Sequence, residues 1–240
     1  PGFKTMLGGP YGGYDGVQWL SFAIFWGINI LVVYKGMDLL KKIEGFAAPF
    51  VLVMTLCLVF WAVSEAHGLG DLLHQKAKLD SPSEFIKVFI PSLTAMIGFW
   101  ATLSLNMPDF TRFGRSQKEQ TIGQVIALPT AMAFFAAMGV IITSSAMVIY
   151  PDAKLDELWD PVKLIGRFET PWVVVIAMFT VALATLSVNV AANVVSPAND
   201  FANAFPRFIS FKTGGLITGL LGVAMQPWRL IADPSGYIFM

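Results

Sequence analysis

The sequence predicts an all-α fold that spans a membrane, and three observations carry that expectation. First, the 240 residues are 55% hydrophobic and only 13% charged, whereas a water-soluble domain carries about 25% charged residues. The mean hydropathy is +0.65. Second, the apolar residues gather into six segments, at about 17–34, 44–64, 88–107, 122–149, 171–197 and 213–231. Each is long enough to cross a bilayer, which takes roughly 20 residues. Third, the cores of these segments hold no Asp, Glu, Lys, Arg or His, and the connections hold nearly all the charge. Barrel strands would show short alternating stretches instead. Lipid offers no partner to a free backbone group, so helices are expected.

Residues 1–240 read as one polytopic transmembrane domain, incomplete at both ends. The chain opens on the Gly-rich stretch Pro1 to Asp15, without an initiator methionine or a signal-peptide pattern. It stops in the apolar run Tyr237-Ile238-Phe239-Met240. Net charge is zero, so no basic footprint points to nucleic acid. Cys57 is the one cysteine, can form no internal disulfide, and has no metal-ligand spacing around it. His67 and His74 lie in a polar connection and read as solvated loop residues. Lys and Arg divide evenly between the two sides. The pairs Lys41/Lys42 and Arg112/Arg115 hug segment ends, where the positive-inside rule acts, and so are placed in the cytoplasm. The connections 65–87 and 150–170 exceed a tight turn. Short surface helices and simple loops both remain open for them.

The third segment contains Gly98-Phe99-Trp100 near its middle and ends in Asn106-Met107-Pro108-Asp109-Phe110-Thr111-Arg112. A glycine at mid-span lets the backbone open, as in the discontinuous helices that build transporter sites. Trp100 offers a flat π face for a planar ring. Packing is the plainer alternative, since Gly is common in membrane helices and Trp fills space. Pro108 is expected to end the helix.

The fifth segment carries two stripes at helical spacing. Ala184, Ser187 and Ala191 make a small-residue face. Asn189, Asn193, Ser196 and Asp200 make a polar one. Each Asn amide offers two donors and an acceptor, which matches the edge of an imide or ureide. Interhelical glue is the alternative, worth about 0.6 kcal/mol per bond. No nucleophile–base pair, carboxylate pair, phosphate-binding glycine loop or metal cluster is visible, so no enzyme is expected. A non-transporting scaffold or receptor is the alternative of another class. It would have no need of a broken helix beside a tryptophan and an asparagine pair.

Asn106 to Arg112 resembles the helix-ending signature of the nucleobase–cation symporter-1 family. Asn189-Val190-Ala191-Ala192-Asn193-Val194-Val195-Ser196-Pro197-Ala198-Asn199-Asp200 resembles that family's eighth-helix signature. Phe208 to Gly215 and Met225-Gln226-Pro227-Trp228 follow as in the same family, as do Gly36-Met37 and Ala47-Ala48-Pro49. The likeness covers essentially the whole chain and is nearest in flavour to bacterial allantoin permeases.

The resemblance implies a five-plus-five inverted-repeat transporter fold, of which these six spans would be about helices four to nine. It implies a multi-pass, monomeric permease of the cell membrane. Such a permease moves a neutral small molecule (allantoin, uracil, cytosine or a hydantoin), with sodium or a proton as coupling ion and no other cofactor. Trp100 falls on the family's ring-stacking tryptophan, with Gly98 and Phe99 in the broken stretch. Asn193 falls on its substrate-binding asparagine. Ala184 and Ser187 fall on sodium ligands, a carbonyl and a hydroxyl. The next family position, a second hydroxyl, is Val188 here. A valine side chain cannot ligate sodium, and this departure favours proton coupling.

Overall fold

The computed structural model describes residues 13–70, 79, 81–112 and 114–232. His74, most of the connection around it, and the terminal run Tyr237–Met240 lie outside the described residues. Every element among the described residues is a helix. In order they are α1 Gly16–Lys35, α2 Met37–Glu65, α3 Pro82–Thr111, α4 Gln117–Ile149, α5 Leu155–Trp159, α6 Pro161–Ile165, α7 Pro171–Ala204, α8 Phe211–Ala224 and α9 Pro227–Ala232.

Side-chain oxygens set the starts. Asp15 accepts from the Gln18 amide at 2.9 Å while the Gln18 side chain accepts from the Asp15 amide at 2.8 Å. This reciprocal box satisfies two donors that a helix start otherwise orphans. Ser81, Ser116 and Ser210 accept from the amides of Glu84, Glu119 and Thr213. Gly36 ends α1 at φ +88°, a conformation costly for other residues, and α2 begins at the next residue.

Among the described residues, α1, α2, α4 and α7 are each long and apolar enough to cross a membrane. The bent pair Pro82–Gly98 and Leu103–Thr111 within α3 makes a fifth if its two limbs are counted as one span. The last expected segment, 213–231, divides into α8, with 14 residues, and α9. The division lies at Gln226, held at φ +54° immediately before Pro227, where proline disfavours right-handed helical geometry in the residue ahead of it. Pro108 does not end its helix as expected. α3 runs through it to Thr111, and the Arg112 amide still reaches the Pro108 carbonyl at 3.0 Å.

α4 and α7 each contain a π-helical stretch, Gly123–Ala127 and Val190–Val195. Each lies just ahead of a proline, Pro129 or Pro197. A proline ring crowds the carbonyl four residues back and offers it no N–H. Those carbonyls belong to Val125 and Asn193, inside the widened turns.

The chain forms two compact units. One comprises the chain up to Phe46 and from Thr185 onward; the other is Ala47–Ala184. In the first, α8 lies against α1 and the end of α7 through glycines. A Cβ added to Gly214 would stand 2.6 Å from the Ala198 carbonyl oxygen, one on Gly215 would overlap Val33, and one on Gly219 would overlap Ile30. The Trp26 indole N–H donates to the Gly219 carbonyl at 3.1 Å. Small residues let membrane helices approach in this way. Trp228 of α9 meets Trp19 and Phe22 edge-on at 5.0 and 6.0 Å, and its carbonyl accepts from the Tyr14 hydroxyl at 2.7 Å.

In the second unit, Ile142 and Ala146 of α4 pack with Leu158 of α5 and Leu164 of α6. The connection 150–170 is therefore partly helical, the helical one of its two open readings. Arg167 pairs with Glu157 at 2.7 Å and covers the Tyr150 ring at 5.3 Å. Trp61 meets Phe168 edge-on at 4.6 Å. Much of the outer surface is apolar: Leu105 is 81% exposed and Phe60 79%. Patches of this kind are rare on proteins that live in water.

Candidate functional site

The residues singled out in the sequence fall on α3 and α7. On α3 the helix axis bends by 40° across residues 99–102, directly after Gly98. The backbone stays helical there, so the expected interruption takes the form of a bend. Two local causes act together. Gly98 has no Cβ, and open space surrounds the place where one would stand. The Ser104 hydroxyl donates to the Ala101 carbonyl at 2.6 Å, a side-chain intrusion into the backbone ladder of the sort that curves helices. Trp100 is half-buried within the bend. The Phe99 side chain lies outside what is described.

On α7, Ala184 and Ser187 are half-buried and stand one turn apart in the regular stretch Pro171–Asn189. Val188 points outward, 65% exposed. Of the side chains Ala184, Ser187 and Val188, that of Ser187 alone carries an oxygen. Hard monovalent or divalent cations prefer a shell of about six oxygens, and α7 alone does not furnish it.

The two asparagines of the fifth segment are directly linked. Asn193, exposed within the π stretch, donates from Nδ2 to Asn189 Oδ1 at 2.9 Å. Asn189 in turn donates from Nδ2 to Asn29 Oδ1 on α1 at 2.9 Å, and Asn29 donates to the Phe25 carbonyl at 2.7 Å. Asn29 is 6% exposed. Sequence reasoning passed over this residue. Its signal was present, since Asn29 is the one amide in the apolar run Phe22–Val33, and a polar side chain within a span turns inward to a partner. The polar stripe expected on α7 holds from Asn189 to Asn193 and not beyond. Asn193 and Asp200 are exposed, whereas Ser196 is fully enclosed.

Residues 2–240 match the family model described as the permease for cytosine/purines, uracil, thiamine and allantoin. The allantoin permease of Bacillus subtilis (strain 168) is 44% identical over 222 residues, covering 92% of this chain and 44% of that protein. The purine-uracil permease NCS1 of Arabidopsis thaliana is 40% identical over 230 residues, covering 96% of this chain and 37% of that protein. The chain thus spans less than half the length of these relatives. A solved structure of Mhp1, a nucleobase–cation-symport-1 family transporter in a closed conformation with bromovinylhydantoin bound, shares the fold. It matches at a TM-score of 0.65 and 24% identity, over 88% of this chain and 46% of that one. With its apolar helices and permease relatives, the chain is an integral membrane protein, and it belongs to the family of permeases for cytosine/purines, uracil, thiamine and allantoin.

Proposed function

We propose that the chain contributes the substrate-recognising spans of a secondary transporter in the cell membrane, one that carries a neutral nucleobase-like compound, allantoin first, by alternating access. The observation that carries this reading is Asn193, an exposed amide on a widened turn of α7, held at one side by Asn189. π turns of this kind concentrate at functional sites. An amide with a free edge suits the imide or ureide edge of such a compound. The 44% identity to an allantoin permease favours allantoin. Uracil is the second reading, favoured by the 40% identity to a purine-uracil permease. Trp100 serves as the stacking platform, on the stretch where the axis of α3 bends at Gly98 and Phe99.

The coupling ion follows from α7. Ala184 and Ser187 offer sodium a carbonyl and a hydroxyl, and Val188 offers nothing, so sodium dependence is weak and a proton is the favoured partner. The test is uptake of labelled allantoin and uracil by cells expressing the full-length protein, with and without Asn193→Ala. Losing a directed hydrogen bond weakens affinity several-fold, for about 0.5–1.5 kcal/mol. Normal uptake with lowered thermal stability would make Asn193 a packing residue and overturn the assignment.

A further inference from the structure

Three amides join α7 to α1 in a single line, and the line has a direction. A carboxamide can present either its oxygen or its NH₂ to a neighbour, so each asparagine alone has two orientations. The inner end removes that freedom. The Phe25 carbonyl has no proton to give, so the group facing it at 2.7 Å must be the NH₂ of Asn29. The oxygen of Asn29 then faces Asn189, which must meet it with its NH₂ at 2.9 Å. The oxygen of Asn189 likewise requires the NH₂ of Asn193, again at 2.9 Å. The polarity set in α1 is thereby handed along three side chains to the exposed end. There the Asn193 oxygen is turned outward, with no donor to it among the described residues.

We infer that Asn29 is a positioning residue for recognition. Through Asn189 it fixes the amide of Asn193 so that an acceptor faces the ligand, which selects compounds bearing a ring N–H at that edge and disfavours their N-methyl counterparts. This rests on the reading of Asn193 as the substrate-contacting amide. Asn29 is buried inside its own unit, and among the described residues its one link to another helix is Asn189. A residue present only to fill space there would more naturally be leucine, because an enclosed amide costs free energy unless it is fully bonded.

The experiment compares Asn29→Leu with Asn29→Asp in the full-length protein. It reads KM and Vmax for labelled allantoin and uracil, and competition by uracil against 3-methyluracil. Leucine removes the acceptor for Asn189, frees the polarity of Asn193, and is expected to raise KM about three- to tenfold while eroding the preference for uracil over 3-methyluracil. Aspartate keeps an oxygen facing Asn189 and is expected to hold KM and the preference near wild type, at a cost in thermal stability.

A purely structural role predicts the reverse order, with leucine tolerated and aspartate the worse of the two, and that outcome overturns the inference. Combined with Asn193→Ala, Asn29→Leu is expected to raise KM no further, as for residues acting in series; additive losses overturn it. Should Asn29→Leu not reach the membrane, Asn189→Leu cuts the line one link later, and an unchanged KM there overturns the inference too. If Asn193→Ala itself leaves KM intact, the reading of Asn193 fails and the inference falls with it. If Asn193→Ala weakens uptake and Asn29→Leu does not, the inference fails alone.

Discussion

Gly214→Ala tests the close approach of α8 to α7. The added methyl would stand 2.6 Å from the Ala198 carbonyl oxygen and 3.1 and 3.2 Å from its Cα and carbonyl carbon. Comfortable contact begins near 3.5 Å. These are backbone atoms and cannot rotate aside, so α8 must retreat by about 0.5–1 Å, and an overpacked seam costs about 1–3 kcal/mol. Alanine's helix preference over glycine returns about 1 kcal/mol in water. It returns less in lipid, where the unfolded reference keeps its helices. The net loss is about 1–2 kcal/mol, or a melting point lower by about 2–6 °C. Gly219→Ala instead meets the Cδ1 end of Ile30, which can change rotamer, and should stay within about 0.5 kcal/mol of wild type. Gly215→Ala meets Val33, whose β-branched side chain is stiffer, and falls between. Thermal unfolding of the purified full-length protein in detergent ranks the three. Equal melting of the Gly214 and Gly219 variants would refute the backbone-contact argument.

Ser145 is fully enclosed by the described residues, and its hydroxyl has no partner among them. Ser145→Ala should therefore raise thermal stability by about 1 kcal/mol, and a lower melting point would show that the hydroxyl is bonded after all. Val188→Thr adds an oxygen next to Ser187. Uptake measured at fixed membrane potential, with sodium exchanged for choline, should become more sodium-dependent in this variant than in wild type, and no change would mean that Ala184 and Ser187 do not border a sodium site.

Burial in lipid demands uninterrupted apolar residues, and the long helices α1, α2, α4 and α7 overlap the apolar segments at 17–34, 44–64, 122–149 and 171–197. Less was readable where a proline acts from a distance. The split at Gln226 follows from Pro227, whereas Pro108 is absorbed into α3, and only the packing around each decides between the two. The site was half readable. Asn189 and Asn193 are visible as a pair one turn apart, but their continuation to Asn29 spans 160 residues of sequence, and no local pattern reports it. The stripe from Asn189 to Asp200 was drawn on a 3.6-residue period. The π turn at Val190–Val195 changes that period, so Ser196 turns inward.

Each π turn also stores one residue more than a plain α-helix needs over the same length. Deleting a residue from Val190–Val195 or Gly123–Ala127 leaves an unbroken helix of ordinary pitch with the residues beyond it kept near their original faces, whereas the same deletion in a regular stretch rotates everything beyond it by about 100°. Insertions and deletions in membrane proteins are usually confined to loops, since a span has little slack. These two positions are slack inside a span. When relatives of different lengths are aligned, a one-residue gap belongs at these widened turns rather than in the connections flanking them. Placing it elsewhere would pair Asn193 with the wrong neighbour throughout the comparison.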